Sequence, residues 1–498
     1  MTDTLTSAPT RLPYDEPFRP QYHFSPAQNW MNDPNGMVYY AGEYHLFYQY
    51  HPHDIVWGPM HWGHAVSTDM VNWQHLPIAL YPDEIGTIFS GSAVIDWHNT
   101  AGFGSEAMVA IFTHHSEHLG QCQSLAYSLD KGRSWTKYEG NPVIPNPPDI
   151  RDFRDPKVFW YGTGEMEGHW VMALAAGSAI LFYTSPDLKN WAASGSFGYG
   201  YGSTEGVWET PDLFELPIDG GANRRWVLTV GVGDGAPAGG SGMQYFIGQF
   251  DGQTFTSDNP KETTLWADYG ADFYAAQSWS NTPDGRRLWL AWMSNWPYSN
   301  KTPTSPWRSN MSLPRVVGLT QTAAGIRLTQ QPVSELATLR QASHSWHNIE
   351  IAADAGWQPE VSGELLEIMA EFVPAPAVSS FGLHVRLGDG EQTTLSYEPE
   401  NQTLAVDRVA SGVSTFCEDF AVVNSVHVAM IDGHLWLHLF VDRSSLELFV
   451  HDGSICFSEL IFPAETSRAL AFFSRGGVTT LARLDIYEID NAAFYAAP

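Results

Sequence analysis

The stretch Asn29-Trp30-Met31-Asn32-Asp33-Pro34-Asn35-Gly36 puts a carboxylate, side-chain amides, a tryptophan and a turn-forming Pro-Asn-Gly into consecutive positions. Asn32 can hydrogen-bond a ligand or orient Asp33, and Trp30 offers an apolar face to a sugar ring. Pro34 and Gly36 are expected to end the strand and set Asp33 beside a turn. A satisfied Asx-turn has the same local composition, so the rest of the chain decides between the two readings.

Two more acids stand in similar company, Asp155 in Arg154-Asp155-Pro156 and Glu209 in Trp208-Glu209-Thr210-Pro211-Asp212. Their spacing follows a repeat in which Ser-x-Asp, a short turn and an aromatic recur. The copies are Ser67 to Trp73, Ser128 to Trp135, Ser185 to Trp191 and a degenerate Phe250 to Phe255, about 60 residues apart. Each reads as a hairpin closed by its aromatic. Short β-type runs lie between the copies, at Tyr44–Tyr50, Met108–Thr113, Trp170–Ala176 and Trp226–Gly231, with no long helical periodicity. Several strands per repeat predict propeller blades, and residues 22–332 have room for five. Asp33, Asp155 and Glu209 each fall about 40 residues before the aromatic that closes their own unit. Phe89-Ser90 occupies the equivalent region of the second unit and Asp272-Phe273-Tyr274 that of the fifth. The first strand of a propeller blade lines the central channel, so three acids should converge on one funnel.

Carboxylates repel, and a fold holds them together for catalysis or for a metal. The candidate histidines His51, His53, His61, His64, His114 and His115 do not follow the acids in phase. No zinc-type His/Cys spacing and no calcium loop is present in the sequence, so no metal is expected. Paired carboxylates among aromatics and amides point instead to glycoside hydrolysis. Glu209, flanked by Trp208, suits the proton donor, whose pKa must be raised. Asp33, among amides, suits the ionised nucleophile, and Arg154 should hold Asp155 ionised.

Composition narrows the partners. Aromatics are 13% of the 498 residues and charged residues 16%, with a formal net charge of −30. So acidic a chain disfavours nucleic acid and anionic membranes. Cys122, Cys417 and Cys456 are too few and too scattered for a disulfide framework. The first residues show no basic and apolar leader, and no apolar run is long enough to span a bilayer. The expected location is cytoplasmic, or secreted if a leader has been removed. A homo-oligomer is left open.

These motifs resemble glycoside hydrolase family 32, the invertases, exo-inulinases and levanases. The resemblance is carried by Trp30–Gly36, Phe89-Ser90-Gly91-Ser92-Ala93, Arg154-Asp155-Pro156-Lys157 and Trp208–Asp212. Further matches are His45–Tyr50, Met60–Ala65 and Trp307–Arg315. The resemblance implies a five-bladed β-propeller followed by a C-terminal β-sandwich, an all-β chain, and retaining cleavage of β-D-fructofuranosides without a cofactor. It implies Asp33 as nucleophile, Asp155 as transition-state stabiliser and Glu209 as acid/base. Trp30, Asn32, Gln49, Trp57, Phe89, Ser90, Arg154, Tyr274 and Trp296 are the implied substrate-binding residues. The family usually places Cys after the acid/base Glu, where this chain has Thr210, a change expected to bear on the tuning of Glu209.

The expected organisation is an N-terminal extension over 1–21, the propeller over 22–332, a short helical linker over 333–344 and a sandwich over 345–498. Its strands include Leu435–Asp442 and Leu446–Val450 around an Arg443-Ser444-Ser445 turn. The expected activity is exo-acting β-fructofuranosidase on sucrose and fructo-oligosaccharides, extending to inulin or levan. Alternatives are a transfructosylase, an inverting arabinofuranoside hydrolase, and a non-catalytic sugar-binding propeller.

Overall fold

A computed structural model describes residues 10–162, 167–388 and 390–497. The described residues are almost all strand and loop, with two short 3-10 turns at Ser299–Lys301 and Ser334–Leu339. No helix among them is long and apolar enough to cross a membrane.

Five antiparallel sheets follow one another along the first two thirds of the chain. Their first strands are Asn29–Tyr40, Thr87–Asp96, Phe153–Gly162, Trp208–Pro217 and Tyr274–Ser278. These contact one another in cyclic order, the fifth returning to the first. The Ser-x-Asp repeats join the third and fourth strands of the first three sheets. In each, the Ser hydroxyl donates to the Asp carboxylate, which in turn accepts backbone N–H groups across the turn. The closing indoles of Trp73, Trp135 and Trp191 donate to the carbonyls of Met70, Gly132 and Leu188. The degenerate copy keeps the Asp251 turn in the fourth sheet.

Two six-stranded antiparallel sheets make up the remainder and share one aliphatic and aromatic core that includes Leu366, Phe372, Phe381, Leu448 and Phe472. Two boundaries differ from expectation. The first strand of this part, Arg340–Ile351, begins inside the stretch expected to be linker. The extreme C-terminus does not stay with these sheets, because Phe494–Tyr495 pairs in parallel with the fourth strand of the first sheet. On that sheet's inner edge, Trp307–Arg308 pairs in parallel with Asn29-Trp30.

Buried ion pairs tie the two halves. Arg315 contacts Glu447 and Asp268, Arg408 contacts Asp272 and Glu459, and His23 bridges Asp442 and Glu447. Removing one partner from such a cluster leaves an uncompensated buried charge, so the cluster resists separation of the halves. It also anchors the segment before the first sheet, since Asp442 accepts the backbone N–H groups of Gln21 and Tyr22.

Candidate active site

Pro34 and Gly36 do not end the first strand, which runs through both to Tyr40. They mark irregularities in it instead, because proline cannot donate to a ladder and is accommodated at bulges. Asn32 and Asp33 stand together opposite the single residue Gln49. The same two-against-one bulge recurs in all five inner strands. It holds Phe89-Ser90 opposite Thr113, Asp155-Pro156 opposite Leu174, Thr210-Pro211 opposite Val230, and Ala275-Ala276 opposite Ala291. A bulge re-aims side chains and tightens local twist. Asp155, Thr210 and Ala275 open their bulges at positive φ, 64°, 46° and 54°. Gly91 is required after Ser90, since a Cβ there would lie 2.1 Å from the Ile111 carbonyl oxygen. Five bulges at one level of the ring therefore turn Asp33, Ser90, Asp155, Glu209 and Tyr274 toward a common axis.

The result is a cavity of about 740 Å3 at the end of the ring where the inner strands begin. Asn32, Asp33, Gln49, Trp57, Phe89, Ser90, Arg154, Asp155, Glu209 and Trp296 line it. Asp33 lies deep, with Ser90 donating its hydroxyl to Oδ2 at 2.6 Å and the Asn32 amide donating to Oδ1 at 3.0 Å. The Asn32 amide is fixed from behind, because its oxygen accepts the Trp30 indole N–H at 2.7 Å. An indole is a donor only, so it settles which end of the amide faces Asp33. Burial pushes the Asp33 carboxyl up to about 6, with the charge of Glu209 adding to the rise and the Ser90 and Asn32 hydrogen bonds opposing it. Asp155 is raised further by burial, and the anions Glu209 and Asp33 add to the rise while Arg154 opposes it. Its Oδ2 accepts the Thr210 backbone N–H at 2.9 Å.

Several expectations need correction. Trp30 offers no face to the pit. It is fully buried and acts on the site through Asn32. Tyr274 is buried as well, and its hydroxyl donates to Glu209 Oε2 at 2.5 Å. Trp208 does not wall Glu209, because neighbours on a strand face opposite sides, and its indole N–H turns away to the Ser203 carbonyl. Arg154 does not hydrogen-bond Asp155. Its guanidinium grips Glu209 Oε1 from Nε at 3.1 Å and Nη2 at 2.9 Å, and Asp152 from Nη1 at 2.7 Å. Thr210 touches the acids through its backbone alone, and its hydroxyl has no partner among the described residues.

Sequence reasoning missed the residues that brace these groups. Gln121 Oε1 accepts from Arg154 Nη1 and from the Phe153 backbone, and the Thr113 hydroxyl accepts the Asp155 N–H. Asp152 was legible as an acid two residues before Arg154. Gln121 and Thr113 come from neighbouring strands of the second sheet and carry no motif. At the rim, Trp57 meets Phe89 edge-on and Phe89 stacks on His115. Trp296 stacks over Trp30. Gln49 is buried in the wall, and its amide nitrogen has no partner among the described residues.

An all-β ring with three carboxylates, an arginine and an aromatic rim in one pit has the equipment of a glycoside hydrolase. Comparison with known proteins places it more narrowly. The model of the glycosyl hydrolases family 32 N-terminal domain matches residues 23–332, and that of the family 32 C-terminal domain matches residues 335–488. The chain belongs to glycosyl hydrolase family 32. It is 54% identical over 485 residues to a levanase of Bacillus subtilis, covering 96% of this chain and 71% of that one. It is 38% identical over 515 residues to an extracellular exo-inulinase of Aspergillus awamori, covering 96% and 95%. The crystal structure of exo-inulinase from A. awamori superposes with a TM-score of 0.90 over 96% of this chain and all of that one, at 38% identity. That of β-fructofuranosidase from Schwanniomyces occidentalis with fructosyl-erythritol gives 0.88 over 96% and 99%, at 31% identity.

Proposed function

We propose that the protein is a retaining, exo-acting β-fructofuranosidase that releases terminal fructosyl residues from sucrose, fructo-oligosaccharides and fructans. The observation that carries this is the meeting of Asp33, Asp155 and Glu209, from three different sheets, in one aromatic-rimmed pit. The five sheets act as blades of a propeller over 22–332, and the two six-stranded sheets as a β-sandwich that braces it.

In this reading Glu209 delivers a proton to the glycosidic oxygen as Asp33 attacks the anomeric carbon and forms a fructosyl ester. Glu209 then takes a proton from water, which attacks the same carbon and frees Asp33. In the free protein both Glu209 oxygens are capped, one by Arg154 and the other by Tyr274. Arg154 places two donors on Oε1 and Tyr274 only one on Oε2, so Oε2 keeps a lone-pair position for the proton passed to the leaving oxygen while both contacts hold the carboxyl in place. In the same reading Gln49, whose amide nitrogen has no partner among the described residues, and Asp155 bind fructosyl hydroxyls, and Trp57, Phe89 and Trp296 pack against the ring. Parallel initial rates on sucrose, inulin and levan, with Asp33→Asn as the inactive control, test the reading. Fructose release by the parent and none by the variant supports it. Equal release by both defeats it.

A further inference from the structure

We infer a second carbohydrate-binding site at the opposite end of the ring from the catalytic pit, one that takes a length of the fructan chain. This rests on the fructosidase reading for the identity of the sugar. A cavity of about 900 Å3 opens where the inner strands finish. Trp160 on its wall is five residues beyond Asp155 on the same strand, about 16 Å farther along at the usual rise, so the two cavities share strands and not residues.

The lining is suited to a neutral polyol. Trp97 is 48% exposed at the rim, and its edge is held by Tyr40. Trp160, Tyr161 and Trp226 are half-buried on the wall and present further aromatic surface. Arg287 contributes the hydrogen-bonding group. Its guanidinium lies over the Phe214 ring at 4.9 Å, and among the described residues only Nη1 is engaged, by the Ser278 hydroxyl and the Trp279 carbonyl. No carboxylate lies within ion-pairing distance of Arg287 among the described residues. The other cavity cations are spoken for, Lys157 by Asp212 and Arg224 by Glu215. A half-buried guanidinium lining the cavity, with N–H groups to spare beside aromatic faces, suits an acceptor-rich ligand. The chain's net charge of −30 disfavours an anion. The polymer that feeds the pit supplies hydroxyl acceptors and C–H faces without charge. Binding there holds the polymer on the protein between cleavage events.

The test uses native gels containing levan, run in the Asp33→Asn background so that the polymer is not degraded, with free fructose filling the pit. Retardation is expected, and Trp97→Ala should abolish it, with Arg287→Gln weakening it. In otherwise unaltered enzyme, Trp97→Ala should raise the half-saturating levan concentration about five-fold, the worth of one lost aromatic contact. Its kcat/KM on sucrose should not change. Trp97 is exposed, and an unchanged Tm confirms folding. Absence of retardation in the parent, or retardation and levan saturation indifferent to Trp97→Ala, overturns the second site. Failure of the parent to release fructose from any substrate strikes the fructosidase reading instead, and the gel result stands apart from it.

Discussion

Ser90→Ala isolates the hydrogen bond that opposes the burial of Asp33. The Ser90 hydroxyl donates to Asp33 Oδ2 at 2.6 Å, and both side chains are buried. A donor of this kind favours the ionised carboxylate, so its loss must raise the pKa. A hydrogen bond to a charged group contributes about 1.5–3 kcal/mol, and a pKa unit is about 1.4 kcal/mol, so the shift should be about 1–2 units upward. The starting point is about 6. In the proposed mechanism Asp33 must be ionised to attack, so the acid limb of kcat/KM, which reports the free enzyme, should move to higher pH by that amount. Sucrose hydrolysis followed from acid to alkaline pH gives the limb directly. A general loss of rate at every pH would show only that Ser90 touches substrate. A limb that stays in place or moves to lower pH refutes the reasoning.

Four further outcomes follow from the same contacts. Asp33 is held above its ordinary 3.8, so its contribution to stability is present below that pH and lost as pH rises through about 6. Asp33→Asn should therefore stabilise the fold by about 2–3 kcal/mol at neutral pH and not at all near pH 4, read as Tm at the two pH values. Tyr274→Phe removes one of the two hydrogen-bond partners of Glu209 and should lower kcat on sucrose by about ten- to a hundredfold, the worth of one charge-assisted hydrogen bond, with KM little changed. His23 is raised to about 9: burial lowers it, but the hydrogen bonds to Asp442 and Glu447 outweigh that. The stability it supplies is complete below 6.5 and should fade as pH rises through about 9, and a melting series in which His23→Ala flattens that decline would confirm it. Thr210→Cys should leave both limbs of the pH profile in place, because the backbone N–H and not the side chain meets Asp155.

The sequence carried the repeat well, since Ser-x-Asp and its closing aromatic form a purely local hydrogen-bonded turn whose residues adjoin one another. It carried the three acids for a related reason: phase along a regular repeat translates into position around a ring. The bulges were written in Pro34, Pro156 and Pro211, yet Pro34 was read as a strand end. A proline in an inner strand breaks the ladder either way, and only the partner strand shows that it resumes. The partners of Arg154 were not legible, because adjacency to Asp155 in sequence means opposite faces or a bulge in a strand, and Glu209 reaches the guanidinium from the next sheet. Trp208 misled for the same reason, since it adjoins Glu209 along the chain and turns away from it; Trp30 stands two residues before Asn32 and lies buried behind it, bonded to its amide. The return of Phe494–Tyr495 to the first sheet has no local signal at all, being a long-range strand pairing of two residues.

The central claim is that Asp33 attacks the sugar opposite the leaving group and water then displaces it from the face the leaving group vacated, so that two inversions keep the configuration at the anomeric carbon. Hydrolysis of sucrose in aqueous methanol tests it most directly, because the methyl fructoside formed cannot mutarotate, and NMR reads its anomer. The account predicts methyl β-D-fructofuranoside. The α-anomer as the enzymatic product would contradict it.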